Sequence, residues 1–106
     1  MIQNLAVQIV RFVDEHQPGW VECEFADAEG RKHVFTDKVP IFTREDLWTD
    51  SVYPRPGTMT CEVLARWRDA SGRELARIST ANPLDDVSTE GLSEFVVLST
   101  QLSPSA

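Results

Sequence analysis

A chain of 106 residues, 42% hydrophobic and 25% charged, has the composition of one folded domain with a single small core. That balance excludes a disordered chain, and no run approaches the ~18 apolar residues that would cross a membrane. A net charge of −7 repels phosphate backbones and disfavours nonspecific nucleic-acid binding.

The amino-terminal MIQNLAVQIVRFVDE lacks a basic start, and Gln8 and Arg11 interrupt its apolar residues. It does not read as a secretory signal, and the expected compartment is the cytoplasm. Residues 4–14 alternate as a first strand, with Leu5, Val7, Ile9 and Val13 on one face and Ala6, Val10 and Phe12 on the other. Arg11 breaks the first face. Apolar character on both sides predicts a long strand that curves and serves two layers, as in a small barrel.

After a turn at Gln17-Pro18-Gly19, residues 20–37 predict a hairpin turning at Asp27-Ala28-Glu29-Gly30-Arg31. Its core side is Val21, Cys23, Phe25, His33 and Phe35. Lys38 to Phe42 reads as extended. Thr43 suits a helix N-cap, with Glu45 and Asp46 favourable to the dipole of one or two helical turns. Those turns would lay Leu47 and Trp48 over an open barrel end. Ser51 to Gly57 holds Pro54 and Pro56 and cannot be regular structure.

Met59 to Thr80 predicts the strongest hairpin. Met59, Cys61, Val63, Ala65 and Trp67 alternate as its core face, while Thr60, Glu62, Arg66 and Arg68 make the wet one, interrupted by Leu64. Gly72 suits the left-handed position closing the turn Asp69-Ala70-Ser71-Gly72-Arg73. With Asp69 opposite Arg73, Trp67 meets Leu75 and Arg68 meets Glu74. Shifted by 42 positions, this hairpin overlays the earlier one, Gly30 on Gly72 and Arg31 on Arg73. The likeness reflects either an internal duplication or independent use of a good turn. An acidic loop, ANPLDDVSTEG, then leads to a last strand, Glu94 to Leu102.

The expected fold class is mostly β: a small, partly open antiparallel barrel, OB-like or SH3-like, of five to six strands with one short helix. Residues 1–106 form one domain, with 103–106 frayed.

The segments PGTMTCEVLARWRDASGRELARIST and STEGLSEFVVLS resemble those of a group of small bacterial proteins of about this length that carry no assigned function. The resemblance spans Val7 to Leu102, implies a bacterial origin, and brings no catalytic motif with it.

Candidate chemistry is sparse. His33 and Asp37 lie on one strand face, the pairing a general base requires. The alternative is a semi-buried His33 between Phe25 and Phe35, with Asp37 at a wet rim. Arg77 falls on the same face as Ala65 and Trp67, either snorkelling from the barrel end or holding a carboxylate or anionic ligand. His33, Asp37 and Arg77 are therefore the candidate ligand-binding residues. Two His and two Cys without ligand spacing imply no metal, and no phosphate loop or other cofactor motif is present. Cys23 and Cys61 sit on apolar faces and read as buried free thiols. Arg66, Arg68 and Arg73 interleave with Glu62 and Glu74 as a self-paired ladder.

Beyond Arg77 no Lys or Arg follows, while Asp85, Asp86 and Glu90 gather in one loop without local partners. Those three, with Tyr53, are the candidate partner-binding residues. The expected function is a non-catalytic acidic domain, monomer or homodimer, that binds another protein of basic character, as an inhibitor or immunity-type protein does. The alternatives are a small-ligand or nucleic-acid-binding OB-like module, and an enzyme using His33 and Asp37.

Overall fold

The amino-terminal alternation becomes β1 (Ile2–Asp14), the strand on which the rest of the sheet is laid. The computed structural model describes residues 1–105. After β1 come β2 (Trp20–Ala26), β3 (Lys32–Lys38), α1 (Val39–Phe42), β4 (Arg55–Arg68), β5 (Glu74–Ser79) and β6 (Glu94–Leu98). A single 3-10 turn (Ser99–Gln101) then leads to β7 (Leu102–Pro104). All pairings are antiparallel, in the order β3-β2-β1-β4-β5-β6, with β7 against the start of β1. The result is the expected mostly β class, an open curled half-barrel with one short helix.

β1 serves both hairpins because it is long and kinked. It pairs with β4 over Ile2–Ile9 and with β2 over Gln8–Asp14. Against β2 its register shifts between Ile9 and Arg11 and again between Phe12 and Asp14. Each bulge adds a residue to one strand and reverses which face the next side chains take. Leu5, Val7 and Ile9 point into the core, and beyond the first bulge Phe12 packs inward while Val13 is exposed. That is how a strand with apolar residues on both sides and a mid-face Arg11 is accommodated.

A bulge also corrects the reading of the second hairpin. Its turn register is the expected one, Trp67 opposite Leu75 and Arg68 opposite Glu74. Between Val63 and Ala65, however, the register shifts past Leu64, and the alternation reverses beyond it. Met59 and Cys61 are fully buried, but Trp67 is 40% exposed and is not the core anchor. The inner face of β5 and β6 is Ala76, Ile78, Phe95 and Val97, with Ile78 opposite Phe95 and Ala76 opposite Val97. Arg77, paired across to Ala65 and Val96, therefore lies on the outer face and is exposed.

The helix sits one turn earlier than its predicted start at Thr43. Val39 to Phe42 form it, with Pro40 in its first turn, where a missing N–H costs no helical bond. Val39 and Phe42 are both buried, and that packing outweighs the extended tendency of the segment. Thr43 caps the other end, its amide donating to the Val39 carbonyl at 3.2 Å. Leu47 is buried as the expected lid, whereas Trp48 is 59% exposed.

The carboxyl end carries a further correction. The predicted strand Glu94 to Leu102 is broken at Leu98, whose amide is taken by the Gln101 side chain at 2.8 Å. Leu102, Ser103 and Pro104 then pair with Leu5, Asn4 and Gln3, so these residues do not fray and the strands number seven. Ala106 lies outside the described residues.

The two hairpin turns share one chemistry. Asp27 and Asp69 each bond the Arg four residues on through the backbone, at 2.9 and 3.0 Å. Each Asp also accepts amides of the turn on its own Oδ1. Gly30 and Gly72 adopt φ of 82° and 87°, open to glycine at no steric cost. This turn chemistry accounts for the D-A-x-G-R repeat without further likeness between the strands. The turns also touch, since Arg73 donates to the Ala28 carbonyl at 3.0 Å. The two ends of the sheet meet nearby, where the Ala28 amide donates to the Val96 carbonyl at 2.9 Å. Among the described residues, no helix is long and apolar enough to cross a membrane.

This core assignment predicts that Phe35→Ala, at a fully buried site, destabilises by about 3–5 kcal/mol. Trp67→Ala should cost less than about half of that, because much of the indole already faces water. Urea midpoints of the two variants measured together decide it, and a larger loss at Trp67 would reject the bulge-reversed face.

Candidate functional site

β3 runs along one edge of the sheet, with His33, Phe35 and Asp37 on its inner side at period two. The cross-strand register sets Phe25 opposite His33. The His33 ring is 3% exposed and packs against the rings of Phe95, at 4.6 Å between centroids, and Phe25, at 5.5 Å. Both of its nitrogens meet carboxylates: Nε2 lies 2.7 Å from Asp27 Oδ2, and Nδ1 lies 2.9 Å from Glu90 Oε1. A carboxylate only accepts, so each contact is a hydrogen bond when the ring nitrogen facing it carries the proton. Arg31 pairs with the second oxygen of Glu90.

This arrangement leaves no ring nitrogen free to take a proton from a substrate. Instead it ties the β2–β3 turn to the segment that follows β5. Asp27 resists the upward pull of its partial burial. Its bonds to His33 and to the amides of Arg31 and Glu29 hold its carboxyl below the usual range. Glu90 is held low by His33 and, against some burial, by Arg31.

The same segment buries another ionisable group. Asp86 is 9% exposed, and its Oδ2 has no hydrogen-bond donor in reach. Burial first, then Asp37 and the neighbouring Asp85, push Asp86 up to about 7. Asp86 therefore keeps its proton well above the usual carboxylate range. A backbone bond and a side-chain hydroxyl complete the fastening. The Thr89 amide donates to Val34 O at 2.8 Å, and Thr80 Oγ1 to Asp86 O at 2.8 Å.

The structure thus joins residues that the sequence reading kept apart. His33 and Asp37 were set in one candidate group and Asp86 and Glu90 in another, yet they are two sides of one seam. The picture of an acidic loop with unpaired carboxylates is corrected, because the partners of Glu90 lie on β3 and its turn, 57 and 59 residues away in sequence. Asp85 alone of the three loop acids projects freely, at a backbone φ of 52° that aspartate tolerates in turns. Arg77, on the outer face, is not part of the His33–Asp37 group, so the ligand-binding trio is not assembled. Tyr53 is half-buried against the core, and its hydroxyl donates to the Trp48 carbonyl at 2.7 Å. The arginine ladder is largely self-paired: Arg68 binds Glu74 at 2.7 Å, and Arg73 binds Asp69 and Glu29.

A second feature, Trp48, takes the other course from the lid expected over the barrel end. Trp48 stands between two depressions of about 270 and 330 Å³ that share Gln17, Pro18, Leu47 and Trp48 as walls. Phe12 and Glu15 line the first, and Arg44, Glu45 and Asp46 the second. The turn carrying the indole is pinned. The Trp48 amide donates to Ser51 Oγ at 2.9 Å, the Ser51 amide returns to Trp48 O at 3.2 Å, and Tyr53 bonds the same carbonyl. Beside it Val52 is 77% exposed. The available signal was W-T-D-S, a tryptophan entering a run of turn-forming polar residues.

Both cysteines are free and buried. Burial pushes Cys61 up to about 11, and burial together with Asp86, Glu22 and Asp37 pushes Cys23 further up. Among the described residues, no three His, Cys, Asp or Glu side chains converge as a metal-binding group. No family profile, curated protein or solved structure matches the chain.

The two contacts of the seam have opposite pH signs. Asp27 and Glu90 are depressed in the fold, so their stabilisation is present above the ordinary carboxylate range of about 4 and is lost as pH falls through their folded values. The melting temperature should drop on acidification below about pH 4, and Glu90→Gln should lower it at pH 6 while making that drop shallower. A drop of unchanged steepness in Glu90→Gln would remove this contact from the acid limb.

Asp86 is raised, so its contribution is complete below about pH 4 and is lost as pH rises toward 7. Asp86→Asn should therefore gain in melting temperature over the natural chain across that interval and hold the gain above it. A constant difference from pH 4 to 8 would show that Asp86 titrates alike folded and unfolded.

Proposed function

We propose that this chain is a non-catalytic domain that binds another protein, with Trp48 as the anchor and the acids around it selecting a basic partner. The observation that carries this reading is an indole left 59% exposed on a turn held by three hydrogen bonds. A large aromatic side chain on a preset backbone loses little conformational freedom when covered, which is why such residues dominate binding energies. Depressions on either side of the ring offer places for a partner's side chains. Glu15 and Asp46 line them, together with Arg44 and Glu45, whose charge is met by Arg55, and Asp50 is exposed on the same turn.

That rim, in a chain of net charge −7, favours a basic protein surface and accelerates its approach. It also weighs against stacking of a nucleic-acid base on Trp48, because the phosphates would meet carboxylates. A small acidic domain that covers a basic surface acts as an inhibitor or immunity-type protein does. Two buried free thiols suit a reducing compartment, in keeping with a cytoplasmic site of action.

The test compares the natural chain, Trp48→Ala and Trp67→Ala, each immobilised and exposed at low salt to lysate of the source cell, with bound proteins identified by mass spectrometry. A basic protein held by the natural chain and by Trp67→Ala, but not by Trp48→Ala, is the expected result. Titration with that protein should show about 30-fold weaker binding for Trp48→Ala, the ~2 kcal/mol typical of an anchor residue. Its association rate with the natural chain should fall as salt is added. Equal capture by all three forms would remove Trp48 from the binding surface.

A further inference from the structure

From the depression shared by Trp48 and the β1–β2 turn, we infer that the basic partner is held by one arginine side chain, stacked on the indole and paired with Glu15. The site presupposes the protein-binding role proposed for Trp48 and names the residue class it receives. Of the two depressions beside the ring, this one, of about 270 Å³, is walled by Phe12, Pro18 and Leu47 as well as Trp48. It falls below the ~300–1,000 Å³ of a small-molecule site, so it suits one side chain rather than a cofactor. Glu15 is the only charged residue that lines it, whereas the other depression also holds Arg44, which repels a cation.

Glu15 is free to meet that cation. Its neighbour Asp14 is taken by His16, whose amide donates to Oδ1 at 2.8 Å and whose Nδ1 lies 2.6 Å from the same oxygen. Glu15, by contrast, is exposed and pairs with none of the described residues. The turn that carries it is held in place. The Gly19 amide donates to the His16 carbonyl at 2.6 Å, and the Val39 amide donates to the Gly19 carbonyl at 3.0 Å, tying the turn to α1. A Cβ at Gly19 would lie 2.9 Å from the Phe12 ring, so backbone packs directly on that wall. The indole is fixed in turn by the bonds to Ser51 and Tyr53. A preset carboxylate and a preset indole thus border one apolar space. Arginine matches it better than lysine. Its methylene stem covers apolar walls, its planar guanidinium stacks on an indole, and its paired N–H groups meet both oxygens of a carboxylate. A lysine ammonium is a compact, strongly hydrated charge without that fork.

The probes are blocked glycine pentapeptides with arginine, lysine or citrulline at the centre, titrated at low salt into the isotope-labelled chain. NMR follows the Gly19 amide and the indole N–H signals of Trp48 and Trp67. The arginine peptide should shift the Trp48 and Gly19 signals saturably and leave that of Trp67 in place. Citrulline keeps the shape without the charge and should bind about tenfold more weakly, with lysine between the two. Glu15→Gln should weaken the arginine peptide about threefold and leave citrulline unchanged. Glu94→Gln, which removes the same charge from an exposed position on β6, should alter neither. Trp48→Ala should abolish the saturable shift at Gly19. Arginine and citrulline bound equally, lysine bound more tightly than arginine, or no saturable shift at Trp48 would overturn the arginine pocket. If a lysate protein is still captured through Trp48 in that case, the pocket falls and the anchor stands. Capture indifferent to Trp48→Ala would instead overturn the anchor, and with it the assignment of the pocket to a partner.

Discussion

The fold depends on how an open sheet is closed. β3 and β6 are the two ends of the strand order, and in a full barrel they would share a ladder of backbone bonds. Here they do not. One corner closes through the Ala28 amide on Val96 and the Gln101 side chain on the Ala26 carbonyl. The rest of the β3 edge is covered by the segment after β5, held through ionisable side chains. Behind that seam lie Phe25, Phe35 and Phe95, stacked edge and face within about 5–6 Å of one another, so the seam seals the aromatic part of the core.

His33 makes this closure workable. A buried ring nitrogen without a partner destabilises a core, and a buried charge does so more strongly. Asp27 and Glu90 answer both demands at once, one from the turn of the same hairpin and one from the covering segment. The aspartate that shapes the turn, by accepting the amides of Glu29 and Arg31, therefore also positions the histidine. Local turn chemistry and long-range closure meet in one side chain. At Asp86 the same segment buries a carboxyl whose Oδ2 no donor reaches.

The binding surface proposed at Trp48 lies on the connection between α1 and β4, in a different part of the molecule. Its order comes from prolines and from Tyr53 and Ser51, not from a strand ladder. Arg55 at the start of β4 pairs with Glu45 at 2.8 Å and draws the two ends of the connection together. A loop held in this way can present an aromatic side chain without unfolding entropy to recover on binding.

Much of the scaffold was legible in the residues alone. Period-two alternation marked β1, both hairpins and their register, because each strand buries one face, and Asp and Gly at fixed positions marked both turns. The buried thiols and the inward side of β2 and β3 followed from the same pattern. The departures each have a tertiary cause. Bulges in β1 and β4 reversed the faces of Val13 and Trp67, and a bulge leaves no alternation signature when apolar residues flank it. Val39 and Phe42 formed the helix because the core had room for them there. Leu102–Pro104 became a strand because β1 offered an open edge. Above all, the partners of Glu90 and Asp86 could not be seen, since a carboxylate's electrostatic environment is set by what the fold brings within a few ångströms. Sequence determines which residues carry charge; only the closing of the sheet decided which charges are neutralised, which carboxyl is buried, and which aromatic side chain remains in water.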